Sequence, residues 1–481
     1  MTAFLADHLT LVVGLLGGLL YLGAIGMALD AVMQNRTAQG AIAWAVSLIT
    51  FPFAAFPLYL IFGRNKFYGY VAARRSDNRD LKPIVDRLAG FGPAVQASMS
   101  SGRENWRALE MLALMPFTHS NHARLLIDGK NTFEALFAGI DSARHYILAF
   151  YYIIKDDDIG REFQARLIAR AKSGVRVYLL YDEIGSFSLP GAYLEALREA
   201  GVHVRPFHST KGKANRFQLN FRNHRKIVVV DGRTAFVGGL NVGDEYLKGT
   251  PKLGKWRDTH LQMEGPSVQC TQLVFLEDWY WATHQIPDLD WEPKPAPDRD
   301  QDILVLPTGP ADELESCGLF FLETINGARE RLWVASPYFV PDRQIVSALQ
   351  LAALRGVDVR LILPQKADHL LVYLSSFSYL EEAEKAGVKI YRYQPGFLHH
   401  KVLLVDDELA AVGTANLDNR SFRLNFEITV VVNDRGFAGE VEAMLREDLA
   451  RCRQTHPRDL TERRFWFRLA VRVSRLLAPV Q

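Results

Sequence analysis

Cysteine and excess basic charge are both scarce in this sequence of 481 residues. The 3 cysteines, Cys270, Cys317 and Cys452, lie far apart and form no C-x-x-C pair. They indicate neither a disulfide framework nor a zinc cage, and they favour a reducing compartment. Lysine and arginine total 56 against 54 aspartate and glutamate, which gives a formal net charge of +2. This balance argues against nucleic acid as a partner, because phosphate-backbone binding usually requires a basic surface.

Charge of either sign is absent from two long stretches near the N-terminus, residues 9–29 and residues 37–63. Each exceeds the roughly 20 residues that an α-helix needs to cross a bilayer core. We predict two transmembrane helices, at about 9–29 and 41–62, with Pro52 and Pro57 kinking the second. A cleavable signal peptide is a weaker alternative because no basic segment precedes the first stretch. A buried helix pair is another, but it would normally show a polar stripe.

Positive charge is distributed unevenly around these two stretches. Six lysines and arginines lie within residues 64–82, whereas the connecting turn contains Arg36 alone and none precedes the first stretch. Since positive charge accumulates on the cytoplasmic side of a membrane, the remainder of the chain is expected in the cytoplasm. The expected organisation is a membrane anchor at 1–66, a juxtamembrane linker at 67–110 and soluble α/β sequence from 111 onward.

The soluble region contains an internal repeat of strand, helix, strand, helix and strand. The first copy lies in residues 111–286 and the second in residues 303–455, and the proline-rich residues 287–302 are the expected connection. Apolar runs that alternate with helical segments indicate right-handed βαβ crossovers and a mostly parallel sheet in each half. The expected fold class is α/β, with two repeats related by a pseudo-twofold axis and a site where they face each other. The predicted strands are 143–150, 174–180 and 200–204 in the first copy and 332–335, 356–363 and 386–390 in the second.

Both repeats end in the same string of reactive side chains. The pattern H-x-K-x-x-x-x-D occurs twice, and in each copy an asparagine follows the histidine by 17 residues. The residues are His224, Lys226, Asp231 and Asn241 in the first copy and His399, Lys401, Asp406 and Asn416 in the second. A single copy would be explained most simply by a buried core histidine and a solvated lysine. Two matching copies favour a functional site.

The spacing within the motif has a structural meaning. Alternate side chains of a β-strand share a face, so the histidine and lysine of each copy can contact one ligand, whereas the aspartate has the opposite parity. Asp231 and Asp406 belong to the catalytic motif but are expected to brace the strand end or its turn. Since the strands are apolar on both faces, an anionic ligand would offset the cost of burying the motif's polar side chains.

A carboxylate follows each motif, Asp258 in the first copy and Glu427 in the second. A histidine that attacks or transfers protons needs its far ring nitrogen held in one tautomer, and a carboxylate does that. We predict this orienting role for both residues. The alternative is an ordinary structural ion pair, for which Arg420 is an available partner of Glu427.

This set of residues suits phosphoryl chemistry without a cofactor or a metal. Lys226, Lys401, Asn241 and Asn416 supply charge and donors to a five-coordinate phosphorus. One histidine can attack phosphorus while the other protonates the leaving alcohol, which gives a covalent phosphohistidine and, after a second transfer, retention at phosphorus. In the sequence, no acidic cluster or Cys/His set with metal-ligand spacing competes for this role.

At these residues the chain resembles the phospholipase D superfamily, whose hallmark is two H-x-K-x-x-x-x-D motifs, and more closely the bacterial cardiolipin synthases. The supporting strings, besides the N-terminal apolar stretches, are residues 223–232, 238–246, 256–260, 335–342 and 416–422. Thr414 stands where the family usually has serine, and it keeps the hydroxyl.

The resemblance implies transfer of a phosphatidyl group from one phosphatidylglycerol to another at the bacterial inner membrane, with release of glycerol. The family habit favours His224 as the residue that attacks first. A membrane-bound phospholipase D hydrolase, or a transferase that uses another alcohol, is the main alternative. An inactive membrane scaffold is disfavoured because both motifs are intact. Expected partners are phosphatidylglycerol and anionic membrane lipids, and assembly into a homo-oligomer through the two spans is left open.

The C-terminal residues 456–481 contain a basic amphipathic pattern. Arg464, Arg468, Arg472 and Arg475 recur at helical spacing with apolar residues between them. Such a helix suits an anionic lipid surface. Packing of a terminal helix on the domain, with a solvated arginine face, explains the pattern equally well.

Overall fold

The structure, a computed structural model, describes residues 2–34, 37–63, 66–67, 70, 83–84, 86, 95, 106–207, 220–297, 300–456 and 462–478. The described residues divide into two compact units. The first contains the described residues up to 67 together with residues 220 and 221, and the second contains Tyr70 and the rest of the described chain. Most of the predicted linker at 67–110 lies outside the described residues.

The first unit consists of one long helix and two short ones, α1 (Thr2–Gln34), α2 (Ala38–Thr50) and α3 (Pro52–Phe62). α2 and α3 both pack against α1, where Ala24, Ala28 and Ala31 are buried. Large apolar side chains elsewhere on α1 remain exposed, Met33 by 83%. Within the described residues α1 alone is long and apolar enough to cross a membrane by itself, over Leu11–Gln34.

The second predicted membrane span is corrected by the structure, because residues 41–62 do not form a single helix. Pro52 has no N–H to donate and disfavours helical geometry at the preceding residue. Phe51 accordingly adopts φ −132° and ψ 58°, which ends α2 and starts α3. The amide of Phe51 still donates to the carbonyl of Ser47 at 2.8 Å, so little backbone bonding is lost. Pro57 lies inside α3 without ending it.

The second unit contains both repeats. The helices of the first repeat are α4 (Arg107–Ala113), α5 (Asp128–Ser142), α6 (Asp158–Lys172), α7 (Gly191–Glu199), α8 (Glu245–Lys248) and α9 (Ser267–Thr283). Its strands are β1 (Thr118–Ile127), β2 (Tyr146–Tyr151), β3 (Arg176–Asp182), β4 (His203–Phe207), β5 (Arg222–Asn223), β6 (Lys226–Val230), β7 (Thr234–Gly238), β8 (Trp256–Arg257) and β9 (Thr259–Glu264). The run β2, α6, β3, α7 and β4 confirms the predicted order of elements.

The second repeat follows the same order through β11, α11, β13, α12 and β14. Its helices, with the C-terminal one, are α10 (Ser316–Gly327), α11 (Arg343–Leu354), α12 (Leu370–Glu384), α13 (Asn419–Arg423), α14 (Arg435–Leu449) and α15 (Phe465–Arg475). Its strands are β10 (Gln301–Thr308), β11 (Arg331–Ala335), β12 (Phe339–Val340), β13 (Asp358–Pro364), β14 (Lys389–Tyr393), β15 (Phe397–Leu398), β16 (Val402–Val405), β17 (Leu409–Gly413), β18 (Leu417–Asp418), β19 (Asn425–Asn433) and β20 (Cys452–Gln454). The predicted connection at 287–302 has no helix or strand from 287 to 297, and β10 begins at its end.

One continuous sheet runs through both repeats. Its strand order is β20-β14-β13-β11-β16-β17-β19-β10-β1-β9-β7-β6-β2-β3-β4. Read outward from the central β1–β10 pair, β9 corresponds to β19, β7 to β17, β6 to β16 and β2 to β11. This arrangement confirms the predicted pseudo-twofold relation, with the axis between β1 and β10.

The sheet is mixed, which corrects the prediction of a mostly parallel sheet. Along its main path β2, β3 and β4 are parallel, as are β11, β13 and β14, but the strands between these two sets pair antiparallel. A tight turn after each motif strand is the reason. Asp231 and Gly232 have φ of +52° and +62°, a left-handed geometry that turns β6 straight back into β7. Asp406, also at φ +52°, lies in the turn from β16 to β17.

The C-terminal helix α15 packs on α12 of the second repeat. Arg472 and Arg475 pair with Glu381 and Glu382 at 2.9 and 2.6 Å, and Val471 is buried. These contacts agree with the alternative of a terminal helix packed on the domain. The exposed apolar side chains of this segment are Phe465, Trp466, Leu469, Val473, Leu476 and Leu477. The helix therefore also keeps an apolar face uncovered.

Candidate active site

The two motif histidines reach the centre of the second unit on short strand pairs that join the repeats. β5, which precedes His224, pairs in parallel with the start of β19, and β15, which precedes His399, pairs in parallel with β8. The amide of His224 donates to the carbonyl of Phe426 at 2.8 Å, and that of His399 donates to the carbonyl of Arg257 at 2.7 Å. Each histidine is therefore bonded through its backbone to the other repeat.

The predicted orienting carboxylates contact the histidines, and they do so crosswise. Nδ1 of His224 lies 2.9 Å from Oε2 of Glu427, and Nδ1 of His399 lies 2.7 Å from Oδ2 of Asp258. A carboxylate that accepts from Nδ1–H leaves the lone pair on Nε2, the nitrogen that can attack or accept a proton. Sequence reasoning identified all four residues but not that each pair combines one residue from either repeat.

Burial and mutual charge set the protonation states of these groups. Burial alone would raise the pKa of Asp258 and of Glu427. Lys401 and His399 instead lower the pKa of Asp258, and His224 lowers the pKa of Glu427. Burial also lowers the pKa of His224, and it lowers the pKa of His399 to about 4. At neutral pH the carboxylates are therefore ionised and the histidines neutral.

Both motif lysines are buried, and each reaches back to its own histidine. Nζ of Lys226 donates to the carbonyl of His224 at 2.6 Å, and Nζ of Lys401 donates to the carbonyl of His399. Because burial disfavours a charged ammonium, the pKa of Lys226 falls well below its usual range and that of Lys401 falls to about 8. An anionic ligand would relieve this cost for both.

Asn241 is held by two residues of its own repeat. Its Oδ1 accepts from the amide of Ile153 at 3.2 Å, and its Nδ2 lies 3.2 Å from the hydroxyl of Tyr246. The ring of Tyr246 is 6.2 Å from the ring of His399. This asparagine of the first repeat is thereby placed close to the histidine of the second.

Asn416 is connected to the carboxylate that contacts His224. Its backbone amide donates to Oγ of Ser421 at 3.0 Å, and this hydroxyl donates to Oε1 of Glu427 at 2.9 Å. The carbonyl of Thr414 lies 3.1 Å from Nδ1 of His224. Thr414 stands where the family usually has serine, and its hydroxyl accepts from the backbone amide of Ile428 at 2.9 Å. The departure from serine thus keeps a hydrogen bond between strands.

Asp231 and Asp406 lie at the far ends of the motif strands from the histidines. The carboxylates accept from backbone amides at 2.8–3.2 Å, those of Arg144, His145 and Tyr146 for Asp231 and those of Arg329, Glu330 and Arg331 for Asp406. These bonds fasten each hairpin turn to the start of β2 or β11. The placement agrees with the predicted bracing role and separates both aspartates from the reacting groups.

The residue between histidine and lysine in each motif was missed by sequence reasoning. Nη1 of Arg225 donates to both carboxylate oxygens of the buried Asp278 on α9, at 2.8 and 2.9 Å. Its equivalent, His400, lies 3.1 Å from Asp448 on α14. The sequence did contain a signal for this role. A polar residue directly between the histidine and the lysine points to the opposite side from both, where it needs a polar partner. Both pairs fix the motif strand to a helix.

Comparisons with known proteins identify the family. A family model described as "Cardiolipin synthase, PLD-like domain" matches residues 136–250 and 321–449, and one described as "Phospholipase_D-nuclease N-terminal" matches residues 24–64. A curated relative, cardiolipin synthase A of Pseudomonas entomophila, is 49% identical over 471 residues, which cover 97% of this chain and 98% of that protein. Another, from Pseudomonas aeruginosa, is 50% identical over 471 residues, which cover 97% and 95%.

A solved structure shares the fold. The phosphatidylserine synthase of Haemophilus influenzae matches with a TM-score of 0.61 at 14% identity, over 79% of this chain and all of that chain. The fold and the family model together define a member of the phospholipase D superfamily, and the two curated relatives make it a phosphatidyltransferase. At the identity and coverage found, the chain belongs to the cardiolipin synthase family of that superfamily. Its apolar N-terminal helix indicates association with a membrane.

Proposed function

We propose that this chain transfers a phosphatidyl group from one phosphatidylglycerol to a second, which makes cardiolipin and releases glycerol. The observation that carries the proposal is the crosswise pair of histidine–carboxylate contacts. It provides one centre with two near-equivalent histidines. Such a centre suits a reaction with two mirrored steps, in which an oxygen and a histidine nitrogen exchange places on the same phosphorus.

In the first step Nε2 of His224 attacks phosphorus. The P–N bond forms, the P–O bond to glycerol breaks, and Nε2–H of His399 gives its proton to the departing oxygen. His399 must therefore be protonated when the lipid is bound. The anionic phosphate favours this state, which opposes the burial that lowers the pKa of His399 to about 4.

In the second step a hydroxyl of the second phosphatidylglycerol takes the place of glycerol. Nε2 of His399 accepts the hydroxyl proton, the new P–O bond forms, and the P–N bond to His224 breaks. Two displacements give retention at phosphorus, and both histidines return to their starting states. Atoms balance as two phosphatidylglycerols converted into one cardiolipin and one glycerol.

Side chains of this protein stabilise the negative charge that develops on the phosphate in the transition state. We assign the nonbridging phosphate oxygens to the ammonium groups of Lys226 and Lys401 and to the amides of Asn241 and Asn416. These donors are fixed before the lipid binds, since all four residues are at least nine-tenths buried. Turnover in detergent micelles is accordingly expected to persist in EDTA.

We propose that α1 and the kinked pair of α2 and α3 insert into the bacterial inner membrane, with the second unit in the cytoplasm. The exposed apolar side chains of α1 and the six lysines and arginines within residues 64–82 support this orientation. The backbone bond across Phe51 allows two short helices to act as one kinked span. The anchor brings the site to a surface that contains its substrate.

Purified full-length enzyme incubated with phosphatidylglycerol alone, in micelles with EDTA, tests the proposal. Cardiolipin and glycerol should appear in equal amounts, and the His224→Ala variant should give neither. Phosphatidic acid and glycerol without cardiolipin would instead identify a membrane-bound hydrolase. Product that forms only after another alcohol is added would identify a different transferase.

A further inference from the structure

One cavity is lined by none of the residues that the proposed chemistry uses. It lies in the second repeat, between the loop after β11, the end of β13 and the start of α12, and encloses about 290 Å³ including its mouth. Its polar lining residues are Tyr338, Lys366, Asp368, His369, Ser376 and Arg392. Because this volume includes the open mouth, a three-carbon polyol would lie across the mouth and not wholly inside the cavity.

Backbone contacts join this cavity to the phosphate-binding residues. β12, which follows Tyr338, pairs in parallel with β18, so that Phe339 lies opposite Leu417. The amide of Leu417 donates to Oγ of Ser336 at 3.1 Å. Since Leu417 directly follows Asn416, the cavity wall and this asparagine belong to one hydrogen-bonded segment.

Asp368 is the group that relates the cavity to the reaction. Burial lowers the pKa of His399 and of Lys401, and the carboxylate of Asp368 is among the charges that oppose both shifts. The hydroxyl of Tyr338 donates to Oδ2 of Asp368. The side chain of Asp368 is 19% exposed, so a ligand in the cavity can reach it.

The cations of the cavity wall donate to backbone carbonyls. Nζ of Lys366 does so at 3.2 Å and Nη1 of Arg392 at 3.0 Å. Oδ1 of Asp368 accepts from the amide of His369 at 2.7 Å. Each carboxylate oxygen nevertheless has a further lone pair, so Asp368 can still accept from ligand hydroxyls.

The equivalent position in the first repeat is closed. Alignment of the repeats through the β2–β3 and β11–β13 ladders places Ile153 where Tyr338 stands and Ser186 where Asp368 stands. Ser186 is 3% exposed, and its hydroxyl donates to the carbonyl of Tyr152 at 3.0 Å. At this position the second repeat has a partly exposed carboxylate, where the first has a buried serine. The carboxylate of the first repeat that acts on Lys226, Asp182, is fully buried, so a ligand cannot reach it.

The side of His224 contains two arginines whose charges act on the ring beside this histidine. The ring of Tyr152 lies 4.9 Å from the ring of His224. Burial and the buried carboxylate of Asp182 raise the pKa of Tyr152, and the nearby charges of Arg222 and Arg420 oppose that shift. An anionic phosphatidyl group is favoured beside these arginines, whereas a neutral, hydroxyl-rich group is favoured beside Asp368.

We propose that the cavity at Tyr338 and Asp368 is the subsite for the glycerol headgroup, a neutral polyol, of the donor lipid and then of the acceptor lipid. The inference rests on the proposed function and specifies where the leaving and the attacking hydroxyl groups are held. Asp368 accepts a hydrogen bond from a glycerol hydroxyl that does not react, which positions the reacting oxygen beside Nε2 of His399. This location makes His399 the acid and base and leaves the attack on phosphorus to His224.

A competition between two alcohols tests the subsite. The enzyme receives phosphatidylglycerol with equal concentrations of deuterated glycerol and 1-propanol, and deuterated phosphatidylglycerol and phosphatidylpropanol are measured by mass spectrometry. Asp368→Asn should reduce the preference for glycerol by about tenfold or more, because a site that bonds a hydroxyl through a charged acceptor discriminates to that extent. Transfer to 1-propanol should fall less than transfer to glycerol, because only glycerol loses the hydrogen bond to Asp368.

Two further variants keep the test interpretable. Asp358→Asn alters a carboxylate at the other end of β13, where it pairs with Lys389 at 2.7 Å, and should leave the preference unchanged. Tyr338→Phe removes the hydroxyl that donates to Asp368 and should give a smaller loss of preference in the same direction.

An unchanged preference in Asp368→Asn, or equal loss of both transfers in a variant that unfolds at the wild-type temperature, would overturn the subsite. Wild-type enzyme that makes no cardiolipin would count against the proposed function instead, and the alcohol preference would still be measurable.

Discussion

The two sides of the catalytic centre are alike in their reacting groups and unlike in what surrounds them. The histidines have equivalent carboxylate contacts, at 2.9 Å for His224 and 2.7 Å for His399. Around them, Arg222, Arg420 and the fully buried Asp182 act on the ring of Tyr152 beside His224. The partly exposed Asp368 acts on His399. A symmetric centre allows either histidine to attack. The assignment of nucleophile and acid therefore has to come from the asymmetric surroundings.

The largest effect is expected from removing either reacting group of the symmetric centre. His224→Ala and His399→Ala should each abolish nearly all cardiolipin formation, and the double variant should be little worse, because the two residues act as a unit. The rate of cardiolipin formation by the three purified variants checks this. Independent losses that multiply in the double variant would contradict one shared site.

The crosswise contacts predict different pH effects for two similar substitutions. Glu427→Gln and Asp258→Asn should each lower kcat by about 10³-fold or more, since each removes the carboxylate that orients a histidine. Loss of an adjacent negative charge lowers an imidazole pKa. Glu427→Gln should thus shift the acidic limb of the kcat profile, set by His224, to lower pH. Asp258→Asn should shift the basic limb, set by His399, to lower pH. Movement of the same limb in both variants would refute the crosswise assignment.

A smaller effect concerns the charge of Lys401. Its pKa of about 8 means that the ammonium is charged below this pH and neutral above it, so kcat/KM for phosphatidylglycerol should fall as pH rises through about 8. Lys401→Arg keeps its charge at pH 9. The ratio of kcat/KM at pH 9 to kcat/KM at pH 7 should therefore be larger for this variant than for wild type. Lys389→Arg, on the exposed edge of β14, is the matched control. Parallel profiles for wild type and Lys401→Arg would contradict the prediction.

The smallest effect on catalysis is expected at the far ends of the motif strands. Asp231→Asn weakens the acceptor of three amides and should lower the free energy of unfolding by about 1–3 kcal/mol, with kcat changed only a few-fold. Asp406→Asn should behave alike. Thermal unfolding and activity of the folded fraction measure the two effects separately. A loss of kcat as large as that of His224→Ala would place Asp231 among the reacting groups.

Local patterns predicted the centre well because they act over a few residues. The i, i+2 spacing placed His224 and Lys226 in one buried segment, but His224 lies between β5 and β6 and not on a strand. The parity also separated Asp231 from them. The Asp231–Gly232 turn was equally local, yet its hairpin signal was overlooked, and the sheet was therefore expected to be mostly parallel. Pro52 was recognised as a site of distortion, but its effect on Phe51 divides the predicted helix in two.

The crosswise contacts could not be predicted from the sequence. His224 and Glu427 are 203 residues apart, and their contact depends on the parallel pairing of β5 with β19. Nothing in the local sequence of either residue specifies that pairing. The asymmetry at Asp368 was hidden for a similar reason, since its relation to Ser186 becomes apparent only when the strand ladders of the two repeats are aligned.

The most direct test of the account is to locate the covalent intermediate. In His399→Asn the base for the second alcohol is missing, so phosphatidylglycerol labelled in its phosphate should slowly leave acid-labile label on His224. His224→Asn should acquire none. Mass spectrometry of the digested protein locates the label after long incubation. Label on His399 in an otherwise wild-type protein would contradict the assignment of roles that the asymmetric surroundings support.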